Sequence, residues 1–255
     1  MKVVILAGGF GTRLSEETTA LPKPMIEIGG RPLLWHLMQI FSNQGFDDFV
    51  VALGYKADVI KRYFLQYPQL EADLRIDLGS GEATMRRRGE ERWRIDLVDT
   101  GHSTMTGGRL KRLAEHITGT VFFTYGDGLS NVDLNALLSF HRAHGKLATV
   151  TAVTPPSRFG MLELEGDQVV SFSEKPPAST ERINGGFFVL EPGVLDYIDG
   201  DDSSWEREPC QRLAEAGELV AYQHDGFWQC VDTLHELRLL RDSWARGEAP
   251  WRVGQ

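Results

Sequence analysis

The stretch Lys2-Val3-Val4-Ile5-Leu6-Ala7-Gly8-Gly9-Phe10-Gly11-Thr12-Arg13, followed downstream by Pro22-Lys23-Pro24, decides how the chain is read. Val3 to Leu6 is a short, β-branched, apolar run of the kind that forms a buried strand, so the glycines fall where that strand leaves a sheet. Glycines without Cβ let backbone N–H groups close around an anion, and Arg13 and Lys23 add the positive charge that a polyphosphate attracts. Two commoner glycine loops are excluded by spacing. After Gly9 and Gly11 a dinucleotide fingerprint needs glycine or alanine at position 14, which is Leu14, and no Gly-Lys-Ser/Thr follows as a P-loop requires. What remains is a phosphate loop of another class, or a strand-to-helix turn without a ligand; Arg13 and Lys23 favour the first.

Working outward, the 255 residues, 42% hydrophobic and 25% charged, suit one domain, with residues 1–154 as a first part and 155–255 as a second. A net charge of −9 argues against a nucleic-acid partner and against an anionic membrane surface, so an anionic substrate has to be met by a local cationic pocket or by Mg²⁺. No apolar run approaches the ~18 residues of a transmembrane helix, and the chain opens on a strand rather than a signal peptide, so a cytoplasmic setting is expected. Cys210 and Cys230 have neither zinc-site nor Cys-x-x-Cys spacing, and Cys210 reads as a small apolar residue on a helix. His141 and His144, at i and i+3 near a helix end at Gly145, read as solvated capping residues rather than a metal pair.

The first half of the chain alternates strands and helices. Pro32 opens a helix that Gly45 stops, Phe49 to Leu53 is a strand, and Lys56 to Tyr67 is a helix. Val121 to Tyr125 is another buried strand, ending in Gly126-Asp127-Gly128, and Asp133 caps a helix with Leu134, Leu137 and Leu138 on one face. Leu147 to Val153 is a further strand. The pattern predicts an α/β fold, Rossmann-like, with a mainly parallel mixed sheet flanked by helices. Ligands of such sheets bind beyond the carboxyl ends of strands, so the Gly8 loop and Asp127 are expected to share one crevice. Past Pro155-Pro156, closely spaced strands at 161–164, 168–172 and 183–190 suggest a smaller antiparallel layer on the substrate side. Helices near 206–216 and 232–245 finish the chain. The run Arg86 to Arg92 reads as a charged surface loop or hairpin, or else as a subunit contact or lid.

Taken together, Gly9 to Arg13 with Pro22-Lys23-Pro24, Gly126-Asp127-Gly128, Glu174-Lys175-Pro176, Asn184-Gly185-Gly186 and Asp232 resemble the sugar-nucleotide pyrophosphorylases over essentially the whole chain. These are nucleotidyltransferases that make nucleoside-diphosphate sugars. The stretches Leu21 to Gly30, Val98 to Gly101, Thr104 to Arg112, Ile183 to Phe188 and Gly226 to Gln229 favour the cytidylyltransferase branch of that family. One departure stands out: that branch carries Lys-Pro-Lys-Pro where this chain has Leu21-Pro22-Lys23-Pro24.

The resemblance implies a Mg²⁺-dependent transfer of CMP from CTP to α-D-glucose 1-phosphate, giving CDP-glucose and pyrophosphate, in a homo-oligomer. It implies direct in-line attack of the sugar phosphate, catalysed by positioning and charge neutralisation. Asp127 and Asp232 are then the metal ligands, with Lys23 and Arg13 as further catalytic residues. Leu6, Ala7, Gly8, Gly9, Phe10, Gly11, Thr12, Arg13 and Gly126 are the nucleotide-binding residues, with Thr104 and Arg109 as candidates for base and ribose-phosphate contacts. Glu174, Lys175, Asn184 and Gly185 face the sugar phosphate. Each site residue also has a purely structural reading. Asp127 is then a turn aspartate, Asp232 a helix N-cap, Glu174-Lys175 a solvated strand end, Gly185-Gly186 a bulge, and Arg109 to Arg112 an exposed basic turn. The rival functions are cytidylyl transfer to another phosphorylated acceptor, use of dTTP or UTP, and a silent subunit that binds a nucleotide sugar.

Overall fold

The computed structural model describes residues 1–9, 21–87, 91–155, 160–173 and 181–252. Its centre is a seven-stranded sheet built from β1 (Lys2–Leu6), β2 (Asp48–Leu53), β3 (Arg94–Asp99), β4 (Val121–Tyr125), β5 (Ala148–Val153), β6 (Ile183–Leu190) and β7 (Leu219–His224). The strand order is β7-β5-β6-β4-β1-β2-β3. β1 runs parallel to both β2 and β4, β2 to β3 and β5 to β7, while β6 is antiparallel to both of its neighbours.

Strand periodicity sorts the side chains into two apolar layers. On β1, Val3 and Ile5 face one layer and Val4 and Leu6 the other; on β2, Phe49, Val51 and Leu53 alternate with Val50 and Ala52. The first layer is covered by α1 (Leu33–Ser42), α4 (Leu134–His144) and α6 (Leu234–Ala245), together with Ile60 of α2 (Ala57–Leu70). The second is covered by α3 (Thr106–Arg112) and α5 (Glu208–Glu215), with Trp205 wholly buried between them and the sheet. Being buried on both faces is why these strands read as nearly continuous apolar runs.

The expected parallel sheet with flanking helices is present, with one rearrangement. Residues 161–165 and 168–173 form a separate antiparallel hairpin, but Ile183–Leu190 joins the middle of the main sheet, between β4 and β5. Phe187, Phe188, Val189 and Leu190 are all buried, which a small solvated layer cannot provide. One further detail differs from expectation. His141 is 2% exposed and bonded to Thr149 and Glu191, so it is a satisfied interior residue rather than a solvated cap. The described part of the run from Arg86 fits the hairpin read from sequence: 83–87 is one arm, paired with 72–76, and Leu74, Ile76, Leu78 and Met85 project from it into solvent. Among the described residues no helix is long and apolar enough to cross a membrane.

Asp133 accepts a bond from Ala136 N at 2.8 Å and so caps α4. Asp133→Ala is expected to lower unfolding stability by about 1 kcal/mol in urea denaturation, with no change in secondary structure.

Candidate active site

The carboxyl ends of β1 to β4 open into a cavity of about 410 Å³ whose walls include Leu6 to Gly9, Lys23, Pro24, Ser103 to Thr106, Arg109 and Tyr125 to Asp127, together with Asp232. It forms here because the parallel strands end together and their chains must turn away, leaving backbone exposed around a hollow. β6 runs the opposite way, so its first residues, Asn184 to Gly186, lie at this same edge.

Lys23 is the charge at the centre of the cavity. Its ammonium donates to Asp127 Oδ2 at 2.6 Å and to Asp232 Oδ1 at 2.7 Å, and its side chain is only 12% exposed. Burial by itself lowers a lysine pKa, but the two carboxylates more than offset it and raise Lys23 above its ordinary value. The ammonium therefore stays charged.

Three local structures bring these groups together. Pro22 and Pro24 bracket Lys23 in a single 3₁₀ turn, and Pro24 packs on Gly126, where a Cβ would stand 2.9 Å from the proline ring and 3.0 Å from Leu6 O. Asp127 follows β4 directly. Asp232 is delivered by a two-stranded ribbon in which Trp228–Cys230 pairs antiparallel with Gly128–Ser130, continued by Val231 N donating to Asp127 O at 3.0 Å. The helix that follows is capped by Thr233, not by Asp232. Thr233 and Glu236 form a reciprocal capping box, and the Glu236 carboxylate also accepts from Asp232 N at 2.7 Å. The Asp232 carboxylate is thereby left to face Lys23.

Arg109 also lines the cavity. Its guanidinium, 4% exposed, donates to Leu53 O, Thr100 Oγ1, Gly101 O, Gly8 O and His102 O, tying the turns after β1, β2 and β3 into one rim. A Cβ at Gly8 would lie 2.4 Å from that guanidinium and 2.9 Å from Gly54 N, so glycine is needed where the two turns meet. The alternative of an exposed basic turn at 109–112 fails at Arg109, whereas Lys111 and Arg112 are exposed, Lys111 donating to Ile198 O and Arg112 pairing with Asp201.

Of the residues anticipated from sequence, Leu6, Ala7, Gly8, Gly9, Lys23, Thr104, Arg109, Gly126, Asp127 and Asp232 line one cavity. Asn184 and Gly185 are not among its walls; they lie at the same edge of the sheet, beside the end of β4. Asn184 Oδ1 accepts from Gly186 N at 2.8 Å, Gly185 O accepts from Trp228 Nε1 at 2.6 Å, and Gly186 lies against the Tyr125 ring. Phe10, Gly11, Thr12, Arg13, Glu174 and Lys175 lie outside the described residues. Sequence reasoning missed Tyr125, Ser103, Met105 and Thr106 as cavity walls and Glu236 as the anchor of Asp232. The Thr-x-x-Glu spacing of 233–236 was the available signal for the last of these.

Asp127 and Asp232 also meet the demands of a hard divalent cation. Both present carboxylate oxygens into the cavity, and the oxygens bonded to Lys23 are no farther apart than two short hydrogen bonds placed end to end. Two carboxylates alone do not complete a shell, and among the described residues no group of three or more His, Cys, Asp or Glu side chains is placed to hold an ion. Phosphate oxygens or water are needed to fill the remaining positions.

The family model described as "Nucleotidyl transferase" matches residues 2–238. A glucose-1-phosphate cytidylyltransferase of Salmonella typhi is 51% identical over 99% of this chain and 99% of its own length. A probable glucose-1-phosphate cytidylyltransferase of Bacillus subtilis is 44% identical, over 99% of this chain and 100% of its own. Among solved structures, HddC from Yersinia pseudotuberculosis shares the fold with a TM-score of 0.72 at 23% identity, covering 95% of this chain and 99% of that one. Gly8→Ala is expected to cost about 1–3 kcal/mol in urea denaturation through overpacking against Arg109 and Gly54. Gly9→Ala, with nothing within 4 Å of its Cβ position, is expected to change stability by less than about 0.5 kcal/mol.

Proposed function

Because the chain belongs to the nucleotidyl transferase family, we propose that it transfers CMP from CTP to α-D-glucose 1-phosphate, releasing CDP-glucose and pyrophosphate. The observation that carries the chemistry is the convergence of Lys23, Asp127 and Asp232 beside the Gly8-Gly9 turn. The named activity of the Salmonella and Bacillus relatives, matched end to end, supports the choice of substrates.

A phosphate oxygen of the sugar phosphate attacks the α-phosphorus of CTP, the new P–O bond forms opposite the bond to the β-phosphate, and pyrophosphate leaves. No side-chain nucleophile is required. The barrier is electrostatic, since at ~4 Å and an effective dielectric of ~20 each pair of like unit charges repels by about 4 kcal/mol. Lys23 would lay its ammonium between the α-phosphate and the sugar phosphate. Gly9, with open space where a Cβ would stand, would let the triphosphate approach the backbone closely, and Arg109 keeps that rim in place. Arg13, by resemblance, would hold the departing pyrophosphate. Thr104 and Ser103, which line the cavity, would contact base and ribose, while Asn184, Gly185, Glu174 and Lys175, by resemblance, would serve the sugar phosphate. A divalent cation, Mg²⁺ in this reading, would be held by Asp127, Asp232 and phosphate oxygens, and it supplies positive charge against the α-phosphate.

Leu21 stands where the cytidylyltransferase branch carries a lysine, and its side chain packs on the first apolar layer. The charge lost there leaves Lys23 as the cation that this turn offers. A homo-oligomer, in which a second copy covers Leu74, Ile76, Leu78 and Met85, completes the proposal.

With CTP, Mg²⁺ and a panel of sugar 1-phosphates, pyrophosphate release is expected to be fastest with glucose 1-phosphate, and slower when dTTP or UTP replaces CTP. A different preferred pair would overturn the substrate assignment. Asp127→Asn and Asp232→Asn are each expected to lower kcat/KM by about a hundredfold or more while circular dichroism stays that of the wild type.

A further inference from the structure

Asp127 and Asp232 are held from their main chains: the ribbon of 128–130 with 228–230 sets one and the Glu236 carboxylate the other. The base of Lys23 is equally fixed, by a turn with proline on both sides and Pro24 seated on Gly126. Four rotatable side-chain bonds lie beyond that base, so the ammonium is the movable charge of the three. It occupies the space between the two carboxylates and satisfies one oxygen of each. A divalent cation drawn to the same pair meets a positive charge already in contact with its ligands. A nucleoside triphosphate brings several negative charges to the adjoining turn and offers the ammonium a new partner within reach of its side chain.

We propose that Lys23 is the resident counter-ion of this carboxylate pair, and that a divalent cation is held firmly only once a nucleoside triphosphate has drawn the ammonium onto its phosphates. This rests on the preceding reading of Asp127 and Asp232 as metal ligands and adds an order to it: metal and nucleotide load together, and in the free enzyme the ammonium offsets half of the carboxylates' charge without metal. The two ligands are thus coupled through one side chain, with no change of fold.

Mn²⁺ binding to the full chain, followed by electron paramagnetic resonance without nucleotide, tests the inference. Lys23→Met is expected to bind Mn²⁺ about tenfold or more tightly than the wild type, within the usual range of ligand coupling. Lys23→Gln, which keeps a hydrogen-bond donor without the charge, is expected to do the same. Mn²⁺ alone is then expected to raise the melting temperature of both variants and to leave that of the wild type nearly unchanged. In the wild type, CTP and Mn²⁺ together are expected to raise it by more than the sum of their separate effects. Equal or weaker Mn²⁺ binding in both variants overturns the inference, as does a gain that survives Asp127→Asn in the Lys23→Met background. Pyrophosphate release by the same wild-type preparation is scored separately. Its absence would remove the proposed reaction, while the Mn²⁺ comparison still decides the role of Lys23.

Discussion

The structure depends on one short contact, the ammonium of Lys23 between the carboxylates of Asp127 and Asp232. Two like charges set side by side in a partly buried cleft destabilise a fold unless a cation lies between them, and desolvation makes that cation costly unless both its partners are present. The three groups justify one another. They come from a turn after the first strand, from the end of the fourth strand and from the approach to the last helix, so the contact ties three segments distant in sequence together.

Every element around the contact bears on it. The parallel strands bring four turns to one edge, and the single antiparallel strand β6 adds its beginning to that edge rather than its end. Arg109 binds three of the turns through their carbonyl oxygens, which requires that Gly8 and Gly54 have no side chains. On the far side, the capping box of α6 uses Thr233 and Glu236 for the helix, so Asp232 does not serve as the cap. Asp232 therefore carries charge where a helix-start aspartate would ordinarily be spent on backbone N–H groups.

Much of this was legible in the chain because it is local. The β-branched runs marked five of the seven strands of the main sheet, β3 and β7 going unread, Asp133 and Gly145 marked the ends of α4, and the glycine turn with Lys23 and Asp127 marked the carboxyl edge of the sheet. The rest depended on partners distant in sequence. Nothing near Ile183 to Leu190 says that it enters the centre of the sheet, because an apolar run buried on both faces looks the same in any layer. Nothing near Trp228 to Cys230 says that it pairs with Gly128 to Ser130, although that pairing places Asp232. The buried state of Arg109 and His141 was equally hidden, since their acceptors lie on other strands and loops.

The amino-acid order alone thus determined five strands of the main sheet, the helices other than α3, the glycine turn after β1 and the residue types able to neutralise phosphate, all of which follow from periodicity and from the chemistry of side chains a few positions apart; β3, β7 and α3 were not legible in it. Tertiary structure decided which carboxylates share a cation, which arginine is structural support and which glycines admit no side chain. Those outcomes are set by distances between atoms, and sequence separation of a hundred residues or more carries no information about distance until the sheet has assembled.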